Sequence, residues 1–182
     1  MRRFSRVAQV GTRFAKLEYE TTGGRTGASK KGRETMNTKL NSENDIEQLN
    51  ALLRGELSAV ETYRQCLDRI TDTVVRLQLE PLHASHRDRA DKLAQRILNL
   101  GGKPSETSGP WGTFAKLVEG SAQLFGERPA LAALEEGEDH GCDQYSRDLD
   151  TLTEESRRFV EIVLAPEQQR THDVMSAISA AR

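Results

Sequence analysis

Several features are scarce in this sequence, and each scarcity excludes a class of protein. No continuous run of about 18 apolar residues occurs, so no membrane-spanning helix is predicted. Aromatic residues make up 5% of the chain, and five prolines are spread over 182 residues. The long windows between the prolines are rich in Ala, Leu, Glu, Arg and Gln, which favour helices over strands. We therefore expect an all-α protein.

The sequence contains only two cysteines, Cys66 and Cys142, and they do not form a CxxC pair. This usage is not that of a disulfide scaffold or a zinc ribbon, and it is typical of free thiols in a reducing compartment. We expect a cytoplasmic protein. Both cysteines fall inside predicted helices, at heights roughly 20 Å apart if those helices are antiparallel, so no internal disulfide is predicted.

The small net charge of −2 hides an uneven distribution. Residues 1–35 hold nine Lys or Arg and three Asp or Glu, whereas residues 36–182 hold 17 and 25. Residues 1–41 are predicted to be a basic, disordered N-terminal arm, because they are rich in Gly, Thr and Ser. An alternative is that translation starts at Met36. Nucleic acid could contact only this arm, since the rest of the chain is acidic.

The remaining residues, 42–182, are predicted to form one domain of four long helices. Apolar periodicity, capping residues and helix-stopping Gly-Pro sequences place the helices at about 42–70, 73–100, 129–152 and 153–180. A short turn makes the first two antiparallel. The long connection over 101–128, with a short helix at 113–125, lets the third run parallel to the second, as in ferritin-like bundles with one crossover.

Each predicted helix places one titratable residue in its apolar stripe. These residues are Glu56, His86, Glu138 and His172. Counted from the turns, the first three lie at one height, and His172 lies roughly one turn away, where Gln169 would be level. A buried carboxylate is costly unless it is paired or binds something. Two carboxylates and two imidazoles meeting inside a bundle have the composition of a site for Fe, Mn or Zn.

A second interpretation of the same four residues needs no metal. They could form two Glu–His hydrogen-bonded pairs in a polar layer that fixes the register of the helices. Spacing alone does not separate these interpretations. Glu61, Glu135 and Gln169 are peripheral candidates for additional ligands.

Several segments together resemble a known family. GELSAVETY and GEDHGCDQY resemble the Glu-containing first and third helices of ferritin- and rubrerythrin-like bundles. With LGGKP, GPWGTFAKL and the late P-x-Q-x3-H pattern, the series is similar to the bacterial ferritin-like proteins grouped as domain of unknown function 2383, over about residues 43–178. The resemblance implies a four-helix bundle, and it implies no established biochemical role.

The sequence departs from the di-iron pattern of ferritins at two places. Where that pattern has Glu-x-x-His, this chain reads His86-Arg-Asp-Arg89 and Gln169-Arg-Thr-His172. The loss of two bridging carboxylates argues against ferroxidase or peroxidase activity and favours a mononuclear site or no metal. Arg89 could instead neutralise Glu56 or Glu138. Two hypotheses follow: a metal-binding bundle, by family analogy linked to stress, or a non-enzymatic bundle that acts through its surface, in either case expected to be a homo-oligomer.

Overall fold

The predicted all-α bundle is confirmed by a computed structural model, which describes residues 30–109, 127–147 and 149–181. Within these ranges the secondary structure is helical, with no strand. The four long helices are α1 (Lys30–Leu67), α2 (Thr73–Asn99), α3 (Glu127–Ser146) and α4, which consists of Glu154–Phe159, Val160–Leu164 and Ala165–Ala180 in unbroken succession. No helix in the described part of the chain is both long and apolar enough to cross a bilayer.

The start of α1 differs from the prediction. The helix begins at Lys30 and not at Ser42, so residues 30–41 are helical and do not belong to an irregular arm. Ser42 does not cap the helix, and its hydroxyl lies 3.5 Å from the Leu100 carbonyl oxygen. The rest of the predicted arm, residues 1–29, lies outside the described residues.

Local capping residues set both ends of α2 and the start of α4. The Asp72 side chain caps α2 by accepting hydrogen bonds from the backbone N–H groups of Val74 and Val75. The helix stops at Gly101, whose φ of 80° suits glycine because it has no Cβ. Thr153 caps α4 through the N–H of Ser156. A proline inside a helix is expected to kink it or to start a second part, but α2 runs through the exposed Pro81 without a break.

A π-helical turn interrupts α4 at Val160–Leu164. The Ala165 N–H donates to the Val160 carbonyl, five residues back and not four. Pro166 follows at once. Because proline has no N–H and its ring crowds the carbonyl four residues earlier, a regular α-turn is unfavourable at this place. The wider turn inserts one extra residue into the helix.

Hydrogen bonds between the helices define the topology. Tyr63 and Tyr145 donate to Glu138 and Glu56, so α1 and α3 are antiparallel. α1 and α2 are also antiparallel, because Glu56 meets His86 while Ser42 meets the end of α2 at Leu100. α2 and α3 are therefore parallel, as the crossover prediction requires. The predicted short helix at 113–125 and its apolar residues lie outside the described residues.

Two apolar clusters fill the bundle, one toward each end. One contains Tyr63, Leu79, Leu131 and Met175, and the other Leu49, Leu93, Tyr145 and Leu164, with further residues in each. Members of both clusters come from all four helices. The charged residues described next lie between the two clusters.

Both cysteines are free thiols, as predicted. Cys66 is buried in the cluster near the α1–α2 turn, and burial raises the pKa of its thiol to about 12. Cys142 is partly exposed. Its pKa is also raised, chiefly by burial.

Candidate functional site

A layer of charged side chains crosses the centre of the bundle. Glu56 comes from α1, His86 and Arg89 from α2, and Glu138 from α3, and all four are at most 3% exposed. The His86 ring lies between the two carboxylates, with Nδ1 2.8 Å from Glu56 Oε2 and Nε2 3.0 Å from Glu138 Oε1. The structure thus brings together three of the four residues predicted from the sequence.

Arg89 is the member that the sequence pattern signalled least clearly. It lies one turn after His86 on the same face of α2 and is completely buried. Its Nε donates to Glu56 Oε1 at 2.7 Å, Nη1 to Ser85 at 3.0 Å and Nη2 to Gln168 Oε1 at 2.8 Å. Arg89 therefore neutralises Glu56, one of the two pairings that the sequence suggested.

Neutral donors add hydrogen bonds to both carboxylates. Tyr145 donates to Glu56 Oε1 at 2.7 Å, and Tyr63 donates to Glu138 Oε1 at 2.6 Å. Two side chains of α4 donate to Glu138 Oε2, Gln168 at 2.8 Å and Thr171 at 2.9 Å. Burial, followed by the adjacent carboxylate, raises the pKa of both tyrosines well above 10, so they remain protonated donors.

The electrostatics of the layer favour charged Glu56, Glu138 and His86. Burial alone would raise the pKa of both carboxyl groups, but His86 acting on each, with Arg89 acting on Glu56, holds the pKa values below 4.5. Burial alone would lower the pKa of His86, and the two carboxylates outweigh it and raise that pKa above 6.5. Two negative and two positive groups then balance inside the bundle.

The Nδ1 atom of His86 has two competing partners. It lies 2.8 Å from Glu56 Oε2 and 2.7 Å from Arg89 Nη2. With a proton, Nδ1 donates to the carboxylate; without one, it accepts from the guanidinium. Loss of this proton therefore changes the hydrogen-bond partner of His86 and does not leave the nitrogen unsatisfied.

His172 does not lie in this layer, so its predicted placement is wrong. Its ring is at the surface of α4, with Nε2 2.9 Å from Asp139 and Nδ1 3.2 Å from Asp173. Gln168 and Thr171 take the inward positions. The prediction spaced the inward residues of α4 too closely. It joined His172 to Phe159, 13 residues earlier, which is about 3.6 turns of an α-helix, so the two residues cannot lie on one face.

The peripheral candidates also lie outside the layer. Glu61 accepts a hydrogen bond from Ser108, at 3.0 Å. Gln169 is exposed and donates to Asp173. Glu135 is half-buried on α3, one residue along from the buried Leu134. As proposed metal ligands, these three remain predictions.

Glycines let the helices approach each other around the layer. A Cβ on Gly141 would lie 2.5 Å from Gln168 Nε2, so glycine at this position makes room for the side chain that reaches Glu138. A Cβ on Gly55 would meet Gln144 Oε1 at 2.3 Å. Both glycines contribute to a cavity of about 60 Å³ between α1 and α3, which Glu56, His86 and Glu138 also line. This volume accommodates a few water molecules or a ligand of similar size.

The side chains present do not fit a divalent metal in their observed arrangement. Both His86 nitrogens face carboxylates, and Glu56 Oε1 already accepts from Arg89 and Tyr145. A divalent ion would add positive charge to a layer that Arg89 and His86 already balance. In the described ranges, no three His, Cys, Asp or Glu side chains surround a common point that could hold a metal.

The chain was compared with known protein families. The sequence matches the family described as "Domain of unknown function (DUF2383)" over residues 44–151. The chain belongs to this family. The matched range contains α2 and α3 and most of α1, and with them Glu56, His86, Arg89 and Glu138. Neither a curated protein nor a solved structure matches the DUF2383 chain.

Proposed function

We propose that this DUF2383 protein is a ferritin-like bundle that works without a bound metal and acts through its surface, as a non-enzymatic binding or assembly module. One observation carries the proposal. Arg89 is fully buried and donates to Glu56 and Gln168, so a permanent cation already lies where a metal ion would be needed.

The charge balance supports the same conclusion. Breaking a buried ion pair by removing one partner typically costs about 3–5 kcal/mol, so the guanidinium will not readily leave Glu56. Each oxygen of Glu138 also accepts two hydrogen bonds, from Tyr63 and His86 or from Gln168 and Thr171. A metal would have to displace several of these bonds at once.

Elemental analysis of the full chain, purified without chelator, tests the proposal. We expect far less than one equivalent of Fe, Mn or Zn per chain and a melting temperature that these ions do not raise. The competing hypothesis is a divalent ion held by Glu56, His86 and Glu138. It predicts about one equivalent, lost in Glu56→Ala, and a rise of about 5–10 °C at a free ion concentration 100 times Kd.

The Arg89→Glu variant provides a positive control. It replaces the buried cation with a carboxylate one turn from His86. Together with Glu56, His86 and Glu138, this carboxylate gives the composition of a site for a divalent metal. We expect divalent ions to stabilise this variant but not the wild type or Arg89→Met, which removes the charge without adding a ligand. Equal stabilisation of the wild type would contradict the proposal, whatever the variants do.

A further inference from the structure

The N-terminal part of α1 extends past the bundle. Every residue within 30–41 whose side chain is described is exposed, including Met36 at 62% and Leu40 at 55%. At ~1.5 Å per residue this extension is about 18 Å long. Tertiary packing supplies most of the stability of helices in proteins, so packing against another surface would stabilise this exposed extension.

One face of the extension carries an ordered stripe of side chains. Arg33, Met36, Leu40 and Glu43 follow one another at helical spacings of three, four and three residues. They fall within an arc of about 80° at 100° per residue. Asp45, the first residue of α1 that is buried against the rest of the bundle, points the opposite way. The stripe thus faces away from the bundle.

The order of charges in this stripe is self-complementary in one orientation only. When two copies of the stripe run antiparallel, Arg33 faces Glu43 of the second copy and Met36 faces its Leu40. Two-fold symmetry makes each contact occur twice. Glu43 of the first copy also faces Arg33 of the second, and Leu40 of the first copy faces Met36 of the second. In a parallel pair, Arg33 would face Arg33 and Glu43 would face Glu43, which is repulsive.

We propose that the α1 extension is a dimerisation surface, on which a second copy of this chain packs antiparallel through Arg33, Met36, Leu40 and Glu43. The contact is isologous, as two-fold symmetry requires. The two apolar residues of each copy supply the buried area, and the charges fix the direction. Glu43 lies 3.7 Å from Lys39 in an exposed pair, a weak interaction that leaves Glu43 available to Arg33 of the second copy.

This inference rests on the surface role proposed above and gives it one partner. It is independent of the charge layer, because Arg33, Met36, Leu40 and Glu43 are all exposed. A monomeric chain would overturn the dimer and leave the elemental analysis unaffected. Metal in the wild type would overturn the metal-free proposal and leave the dimer unaffected.

Sedimentation velocity of the full chain across roughly 1 µM to 1 mM tests the dimer. We expect a concentration-dependent dimer. Arg33→Glu or Glu43→Arg alone should weaken it about tenfold or more, because each dimer then contains two like-charge pairs. The double variant Arg33→Glu/Glu43→Arg should restore it. Met36→Ser/Leu40→Ser should weaken it more than about 100-fold.

Arg170→Glu is the matched control, since it reverses an exposed charge paired with Glu167 on α4. It should leave the dimer unchanged. Circular dichroism of every variant checks that the bundle is folded, which we expect because all the substituted residues are exposed. A monomer at every concentration overturns the proposal. So does a dimer that tolerates Arg33→Glu and Met36→Ser/Leu40→Ser, since it must use another surface, and so does a double variant that stays as weak as the single ones.

Discussion

At the scale of single residues, Arg89 determines whether the buried carboxylates are tolerated. Its guanidinium contacts α1 through Glu56 and α4 through Gln168, although Arg89 itself belongs to α2. One side chain therefore connects three helices while neutralising a charge that water cannot reach. The stability of the bundle should depend on this residue more than on any of its exposed ion pairs.

Arg89→Met should destabilise the protein by about 3–5 kcal/mol, because it leaves Glu56 short of a positive partner in the interior. Chemical denaturation with circular dichroism measures the change. Arg158→Met is the control: Arg158 lies 3.5 Å from Glu154 in an exposed pair, and its loss should cost at most about 1 kcal/mol. Similar losses for the two variants would show that Arg89 does not carry the charge balance.

Two glycine substitutions should differ in their effects. Gly141→Ala forces Gln168 away from Glu138 and removes the hydrogen bond between them. Loss of a hydrogen bond to a buried charge costs about 1.5–3 kcal/mol, which exceeds the ~1 kcal/mol that alanine gains over glycine in helix propensity. Gly55→Ala meets only the end of the Gln144 side chain, which can move. We expect Gly141→Ala to be destabilising and Gly55→Ala to be neutral or stabilising. The reverse order in thermal denaturation would refute this account.

At the scale of secondary-structure elements, α4 differs from the other three helices. The sequence pattern placed Phe159 and His172 on one inward face, whereas the structure buries Val160 and Thr171. Phe159 and His172 are 13 residues apart, about 3.6 helical turns, so a regular α-helix cannot bring both to the same face. The π-helical turn at Val160–Leu164 holds one extra residue, which moves the inward positions after it to higher residue numbers and so does not account for the misplacement of His172.

Deletion of a residue tests whether the π-helical turn holds one extra residue. Removing Ile162, which is 70% exposed, should turn the π-helical turn into a regular one and keep both flanking faces in place. Pro166 would then crowd a carbonyl, at a cost of about 3 kcal/mol. We therefore expect Ile162 deletion alone to be destabilising and its combination with Pro166→Ala to recover most of the loss.

The melting temperatures of both variants measure this, with deletion of Arg170 as the control. That deletion lies in a regular α-helical segment and should rotate Thr171 and Met175 out of the core, with severe loss of stability. If deletion of Ile162 with Pro166→Ala is as damaging as deletion of Arg170, the π-helical turn does not hold a removable residue.

The accuracy of the sequence-based predictions follows from this difference between helices. Glu56 and His86 were placed correctly because α1 and α2 are regular helices between their shared turn and the charge layer. Glu138 also lies in the layer, although α3 ends at Ser146 and not near residue 152, and a 3-10 turn at Leu149–Thr151 precedes α4. His172 was misplaced because the inward residues of α4 were predicted at steps shorter than the 3.6 residues of an α-helical turn. Arg89 was recognised only as a possible partner, because its position in the sequence does not reveal whether an arginine is buried or exposed. The start of α1 was missed because Ser42 resembles an N-cap.

At the scale of the whole molecule, the charge layer makes stability depend on pH in both directions. The pKa values of Glu56 and Glu138 are lowered by folding, so their contribution is complete above about 4.5 and is lost as the pH falls through the lowered values. The pKa of His86 is raised by folding. Its contribution is complete below 6.5 and is lost as the pH rises through the raised value.

We therefore expect the free energy of unfolding to be greatest between about pH 4.5 and 6.5 and to fall on either side. Denaturation curves from pH 3 to 10 measure it. The alkaline decrease should be shallow, because Arg89 can donate to Nδ1 of His86 once that nitrogen loses its proton. In His86→Gln the decrease between about pH 6.5 and 8 should become smaller, and His172, whose pKa is raised by Asp173 and Asp139, should account for part of the remainder. A decrease of unchanged size in this variant would assign it to other groups.

The contacts of Glu138 have a consequence for synthesis on the ribosome. Its carboxylate depends on Gln168 and Thr171, which are translated at least thirty residues later. Until α4 has left the exit tunnel, a nascent chain can pair α1, α2 and α3 only by leaving this anion partly unsatisfied. The three earlier helices should therefore stay loosely associated during elongation, and folding should be completed only after translation has passed α4.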